Sequence, residues 1–124
     1  MRLLAYLAIG GALGTVARYG LSGLVQSPAT AFPWGTLAVN VLGSFALGFL
    51  MRYLLGSTVV TPELRVALTV GFCGGFTTMS TFSYETIAMV QEGDLWRVIG
   101  YVAGTLGGSM GGVVLGLVTA GRFL

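Results

Sequence analysis

The sequence GFCGGFTTMSTFS spans residues 71–83 and lies inside a segment that otherwise has the composition of a membrane helix. It is a cluster of glycine and hydroxyl residues, which predicts an interruption of that helix. In lipid, free backbone N–H and C=O groups have no partners, so a broken helix survives only where protein encloses it or where it lines a polar path. The stretch therefore predicts an ion or substrate site.

The composition is that of an integral membrane protein. Of the 124 residues, 55% are hydrophobic and 8% are charged, and the mean hydropathy is +0.89. Four apolar segments, at about 3–25, 34–55, 62–91 and 95–120, are each long enough for a transmembrane helix of roughly 20 residues. We therefore expect an all-α integral membrane protein, a single four-helix transmembrane domain over residues 1–124 whose third helix is broken near its middle.

The polar residues exclude several classes of function. The chain has no histidine or lysine, and Cys73 is its only cysteine, so the usual proton shuttles, most metal sites and an internal disulfide are excluded. There is no pattern of a nucleophile with its base and no phosphate-binding loop, which argues against an enzyme. The net charge of +2 is too small and dispersed for a nucleic-acid partner.

The arginines give a weak signal for orientation in the bilayer. Four spans place both termini on one side, and the arginines then divide into Arg2, Arg52, Arg65 and Arg122 on that side and Arg18 and Arg97 on the other. This bias weakly favours cytoplasmic termini. So small an asymmetry leaves room for insertion in both orientations, which makes an antiparallel homodimer possible.

Glycine recurs at every fourth residue of the last predicted helix. The positions are Gly100, Gly104, Gly108, Gly112 and Gly116. Patterns of this kind usually mark close contacts between membrane helices. Because four residues advance a helix by about 400°, the glycine ridge turns slowly around the axis and suits a crossing helix.

Some polar residues in the apolar segments have both a structural and a functional interpretation. The amide of Asn40 can donate to an anion or can join two helices by a hydrogen bond. Thr105 and Ser109 lie one turn apart and form either a hydroxyl track or local bonds to the preceding turn. Arg18 and Glu85 must be paired, hydrated or extended towards water.

Three blocks of the sequence resemble the Fluc/CrcB fluoride channel family. They are GGALGTVARY at residues 10–19, GTLAVN at residues 35–40, and the stretch at residues 71–83, which is long and unusual enough to be highly specific. The resemblance runs through all four predicted helices in order. It implies a dual-topology antiparallel homodimer in a bacterial-type inner cell membrane. Such a dimer exports fluoride passively through two pores and limits its toxicity in the cytoplasm.

The resemblance also implies roles for individual residues. Gly74 and Thr77 would provide backbone carbonyls to a structural Na⁺ ion shared across the dimer axis. Asn40 and the ring edge of Phe82 would face the permeating fluoride, because aromatic edges are electropositive. Met79 stands where the family usually has a second pore phenylalanine, which implies altered throughput.

Further residues are candidates for the same pathway by their position beside these motifs. Hydroxyl groups that replace part of the fluoride hydration shell are expected at Thr81, Ser83, Thr105 and Ser109. Arg18 and Glu85 are candidates for a vestibule at the pore mouth.

Two other functions remain as alternatives. Small proton-coupled multidrug exporters have a similar length, but they use a membrane-embedded glutamate in the first helix, and residues 3–25 contain none. A non-transporting membrane assembly subunit is the other alternative. Transport of fluoride without a proton gradient distinguishes the channel from both.

Overall fold

The computed structural model describes residues 1–124, and all of its regular elements are helical. In chain order they are α1 (Arg2–Val25), α2 (Trp34–Leu55), α3 (Pro62–Val66), a π-helical stretch (Ala67–Cys73), α4 (Gly74–Phe76), α5 (Met79–Gln91) and α6 (Leu95–Ala120). Helices α1, α2 and α6 are each long and apolar enough to cross a membrane. The expected all-α membrane class is therefore confirmed.

The region from Pro62 to Gln91 is helical but interrupted near its middle. Thr77 and Thr78 have extended backbones, with φ/ψ of −90°/159° and −149°/117°. The Thr78 hydroxyl then caps α5 by accepting a hydrogen bond from the N–H of Thr81 at 3.2 Å. Because of this interruption, neither part alone reaches the roughly 20 residues that a bilayer requires.

The interruption lies at the two threonines and not at the glycines before them. Gly74 has helical φ/ψ of −64°/−39°. The neighbouring glycines allow close packing instead: a Cβ on Gly75 would lie 2.6 Å from the carbonyl oxygen of Gly11, and one on Gly71 would lie 2.9 Å from that of Leu7. Threonine is β-branched and its hydroxyl competes for backbone groups, so it suits an extended cap residue.

Helix α1 packs along the first part of this interrupted region. Gly10 lies against the carbonyl of Ala67, and Gly14 lies against that of Phe72, so a methyl group at either glycine would collide with backbone. Together with the contacts of Gly71 and Gly75, these positions show that the two elements run in the same direction. The π-helical stretch thus presents its backbone directly to the glycine face of α1.

Helices α2 and α6 form the second close pair, and glycines on both sides allow it. A side chain at Gly116 would collide with the Phe45 carbonyl, and one at Gly48 with the Val113 carbonyl. The glycine ridge of α6 packs tightly only from Gly108 onwards: a Cβ on Gly104 would lie 3.9 Å from the side chain of Leu37, and one on Gly100 would meet nothing within 4 Å. The slow rotation of a four-residue repeat around the helix explains why its two ends face different surroundings.

Ion pairs fix the short turn between α5 and α6. Arg97 contacts Glu92 at 2.9 Å and Asp94 at 2.7 Å, and its backbone N–H donates to Asp94. The guanidinium holds the pKa of the Asp94 carboxyl below its usual value, because it donates to the charged form. Gly93 has a φ of +79°, which glycine adopts without a Cβ clash.

The surface of a single chain is strongly apolar. Only 23 of the 124 residues are buried, and large apolar side chains of α1 and α6 remain mostly exposed, among them Ile9, Leu13, Val16, Met110 and Val114. Such surfaces are unfavourable in water and favourable in acyl chains or against a second protein. The exposed faces of these helices therefore have the apolar character expected of a membrane protein.

Candidate functional site

The interrupted backbone is held by a side chain from α2. Asn40 Nδ2 donates to the carbonyl of Thr78 at 3.1 Å, and the N–H of Thr78 donates to Asn40 Oδ1 at 2.8 Å. Both residues are buried. Unpaired backbone groups at this depth are costly, and the amide supplies both missing partners. Asn40 thus fixes the break in place.

The break leaves one turn of carbonyl groups, from Gly74 to Thr77, without their usual helical donors, and two of them belong to residues predicted for the cation site. In a continuous helix the N–H of Thr78 would donate to Gly74 and that of Thr81 would donate to Thr77. Here these N–H groups donate to the Asn40 amide and to the Thr78 hydroxyl instead. Gly74 also has open space where a side chain would stand. The two carbonyl oxygens are therefore free to bind another group.

These oxygens are of the kind that a hard monovalent cation prefers. The chain has no cluster of three or more His, Cys, Asp or Glu side chains that would hold a metal ion. Any cation bound at the break therefore takes backbone or hydroxyl oxygens as ligands. The residues at the break fit Na⁺ in this respect.

A groove of about 460 Å³ runs beside the break, between α2, α5 and α6. It brings together most of the residues predicted for the ion pathway and the cation site, namely Asn40, Gly74, Thr77, Met79, Phe82, Thr105 and Ser109. Phe82 is buried and its ring centroid lies 5.1 Å from that of Tyr101, whereas Met79 is 68% exposed. The phenylalanine is thus held by packing, whereas most of the methionine side chain has no neighbour within the chain.

The hydroxyl of Thr105 is the unusual polar group in this groove. Thr105 is buried, and its Oγ1 has no hydrogen-bond partner in the chain. Several other hydroxyls in the helices, those of Thr69, Thr86 and Thr119, donate to the carbonyl four residues earlier. A buried donor without an acceptor is unfavourable, so this hydroxyl is available for a ligand.

A second groove, of about 680 Å³, lies on the other side of the break and contains Thr81 and Glu85. The Thr36 hydroxyl donates to Glu85 Oε1 at 2.6 Å, and the Tyr101 hydroxyl lies 3.3 Å from Glu85 Oε2. Hydroxyl donors, and not an arginine, therefore hold this carboxylate.

Arg18 lines a smaller cavity of about 280 Å³ together with Thr36, Thr78 and Thr81. Its side chain forms no ion pair within the chain, because Arg97 is the arginine that makes the two salt bridges. Ser83 lines none of these three grooves. Its hydroxyl donates to the Met79 carbonyl one turn earlier at 2.8 Å, so in a single chain this hydroxyl is bonded within its own helix and does not face the grooves.

Three residues that organise these grooves are not among the candidates predicted from the sequence. Thr78 provides the extended backbone and the cap of α5, while Thr36 and Tyr101 donate to Glu85. Thr78 and Thr36 lie within the blocks of sequence that carry the family resemblance. This position is the only feature of the sequence that could have indicated a functional role for them. Tyr101 is fully buried, although a tyrosine near the end of an apolar segment usually indicates the membrane interface.

Apolar helices long enough to cross a bilayer, packed around an interrupted backbone and grooves that contain a few buried hydroxyl and amide groups, define an integral membrane protein. Residues 5–117 match a protein family described as CrcB-like protein, Camphor Resistance (CrcB). The chain belongs to the CrcB family.

Several similar proteins have the name fluoride-specific ion channel FluC. The one from Geobacter sulfurreducens is 47% identical over 119 residues, which cover 92% of this chain and 96% of that protein. The one from Geotalea daltonii is 51% identical over 96 residues, or 77% of each chain. The one from Chlorobaculum tepidum is 44% identical over 110 residues, which cover 89% of this chain and 87% of that protein. The similarity thus extends over most of the chain.

Proposed function

We propose that this protein is a fluoride-selective ion channel that lets fluoride leave the cytoplasm passively and so reduces its toxicity. Family membership and the names of the relatives indicate the ion. The observation in the chain itself that carries the proposal is the buried Thr105 hydroxyl, which has no partner and lies in the groove with Phe82 and Asn40. As an ion channel, the protein is not an enzyme.

The groove offers groups that suit a small, strongly hydrated anion. The Thr105 hydroxyl donates to the ion, with Ser109 one turn further along α6. The Asn40 amide has one N–H left after its bond to Thr78. The ring edge of Phe82 adds an electropositive surface without a fixed charge that would trap the ion. Weak, successive sites of this kind allow fluoride to enter and to leave.

The working unit is an antiparallel homodimer with two pores, embedded in the inner membrane of a bacterial-type cell. The groove is open in a single chain, and Met79 and Met110 on its rim are each 68% exposed. A second copy in the opposite orientation would cover these side chains and complete the walls of the pathway. Ser83, which lies outside the grooves of one chain, would then reach the pathway from the partner. The four spans of each copy include the interrupted region from Pro62 to Gln91.

Gly74 and Thr77 would hold a structural Na⁺ through their free carbonyl oxygens, at the axis where the two breaks face each other. A bound Na⁺ supplies a fixed positive charge that holds two sets of carbonyl dipoles together. The chain's own contribution is the pair of hydrogen bonds from Asn40 and the Thr78 cap, which keep these carbonyls out of the helical ladder.

The second groove and the smaller cavity that contains Arg18 would together form the vestibule that leads to the pore. Arg18 attracts anions electrostatically, and Thr81 provides a further hydroxyl. Glu85 orients the Thr36 and Tyr101 hydroxyls by accepting from both. The carboxylate thus positions donors at the mouth of the pathway and does not itself bind the anion.

Reconstitution of the full chain into liposomes tests this proposal. Vesicles loaded with fluoride or chloride are diluted into ion-free buffer, valinomycin balances the charge, and ion-selective electrodes record the efflux. We expect rapid fluoride efflux, little chloride efflux, and no change when a pH gradient is imposed. Efflux that requires a pH gradient would indicate a proton-coupled carrier, and absence of flux from a correctly folded dimer would contradict the channel.

A further inference from the structure

We infer that four arginines at one end of the helices form a binding surface for the phosphate of an anionic phospholipid headgroup. Helices α1 and α3 begin at this end, and α2 and α6 finish there. The arginine surface consists of Arg2, Arg52, Arg65 and Arg122. The interrupted region runs parallel to α1, and α6 runs parallel to α2. The end of α1 meets the start of α2, where a Cβ on Gly35 would lie 2.5 Å from the Ser22 carbonyl oxygen, so the start of α1 and the end of α2 share the opposite end.

The contacts at the ends of α2 and α6 support this placement. A Cβ on Gly121 would lie 2.8 Å from Arg52 Cζ, and one on Gly56 would lie 3.2 Å from the side chain of Leu124. Arg52 Nη1 also donates to the Leu117 carbonyl at 3.2 Å. The ends of these two helices are therefore adjacent, and Arg52 lies between them.

The arginine surface is not neutralised by the chain's own carboxylates. Of the acidic residues, only Glu63 belongs to this end, whereas Glu85, Glu92 and Asp94 lie towards the opposite end. Both salt bridges in the chain belong to Arg97, which is also at the opposite end. An excess of positive charge therefore remains at the arginine surface.

Arg65 provides a more specific reason to expect a phosphate. Its Nε is buried and has no hydrogen-bond acceptor in the chain. Guanidinium groups match the geometry of phosphate oxygens and form charge-assisted hydrogen bonds with them. Arg65 as a whole is half-buried, so a headgroup phosphate would contact the exposed part of this side chain and draw its unpaired guanidinium towards the surface.

The surroundings favour a lipid over free phosphate. Apolar side chains next to these arginines are exposed: Leu4 by 64%, Leu55 by 63% and Phe123 by 69%. Acyl chains can lie against them while the phosphate contacts the guanidinium groups at the bilayer surface. This inference rests on membrane insertion of the chain and does not depend on fluoride transport.

Native mass spectrometry of the full-length protein tests the inference. The protein is reconstituted with equal amounts of phosphatidylglycerol and phosphatidylcholine, which share acyl chains, and the retained lipids are counted after release. We expect preferential retention of phosphatidylglycerol. Affinity should fall about fivefold for each arginine replaced, in Arg65→Gln and in the double variant Arg2→Gln/Arg122→Gln. Arg97→Gln is the matched control, because it removes the same charge from the other end.

Competition with inorganic phosphate distinguishes a site for a lipid headgroup from a site for free phosphate. Retention of phosphatidylglycerol in excess phosphate supports a lipid site, whereas its displacement would indicate a site for free anions and overturn the inference. Equal retention of the two lipids, or an equal loss in Arg97→Gln, would also overturn it. Since Arg2 and Arg122 are exposed, their double variant keeps the test decisive if Arg65→Gln folds poorly.

Discussion

The side-chain amide of Asn40 makes both main-chain hydrogen bonds of Thr78, which lies 38 positions further along the chain. Helix α2 thereby supplies the hydrogen-bond partners that the backbone of Thr78 lacks at the break. The same pair of bonds diverts the Thr78 N–H from the Gly74 carbonyl, so the stability of the break and the release of that carbonyl oxygen from the helix have a single cause.

Replacing Asn40 with alanine should destabilise the fold. The N–H and carbonyl of Thr78 would both lose their partners, and each unsatisfied buried group costs about 1–3 kcal/mol. We expect a clearly lower melting temperature in detergent, measured by intrinsic fluorescence. Ser44→Ala, one turn further along α2, serves as the control. Equal melting temperatures for the two variants would show that Asn40 does not support the break.

Replacing Thr105 with valine should slow fluoride efflux without loss of folding. The change keeps the shape of the side chain but removes the hydroxyl that has no partner in the chain. A hydrogen bond to a charged group contributes about 1.5–3 kcal/mol, so a reduction of about tenfold or more is expected.

The matched control for Thr105→Val is Thr119→Val in the same helix. The Thr119 hydroxyl donates to the Leu115 carbonyl at 2.7 Å and lines none of the three grooves. Its replacement should leave the efflux rate unchanged. If both variants transport fluoride at the parent rate in liposomes, the Thr105 hydroxyl has no role in permeation.

Replacing Gly116 with alanine should disrupt the packing of α2 on α6. The added methyl group would collide with the Phe45 carbonyl, and overpacking of this kind costs about 1–3 kcal/mol. Gly111→Ala is the matched control, since nothing lies within 4 Å of its Cβ position. Thermal unfolding followed by size-exclusion chromatography should show a loss only for Gly116→Ala. A stable Gly116→Ala variant would mean that the two helices separate at little cost.

Replacing Met79 with phenylalanine should change fluoride throughput while selectivity against chloride is retained. Methionine fills volume flexibly but lacks the electropositive ring edge of phenylalanine. The side chain is 68% exposed on the groove wall, so the ring can be added without repacking of the chain. Liposome efflux over a range of fluoride concentrations measures the effect. Identical rates for parent and variant at every concentration would show that this position does not influence permeation.

Much of the fold follows from local features of the sequence. Apolar segments of bilayer length predict membrane helices because each such helix satisfies its own backbone. The cluster at residues 71–83 predicts an interruption, and the structure locates it at Thr77 and Thr78. The glycine repeat of α6 predicts close packing, but it does not show that the tight contacts with α2 begin only at Gly108.

The arrangement of the polar groups depended on tertiary structure. Asn40 alone is compatible with a helix contact or an ion ligand, and only the position of Thr78 shows which bonds it makes. The same holds for Glu85, which accepts from hydroxyls on α2 and α6, and for Thr105, whose hydroxyl remains without a partner.

The sequence by itself determined the membrane class, the family and the region of the break, because these depend on composition and on contiguous motifs. Only the tertiary structure decided which polar groups are paired and which remain free for a ligand. The physical reason is that a hydrogen bond depends on the distance between two groups in space, and the decisive partners here come from different helices.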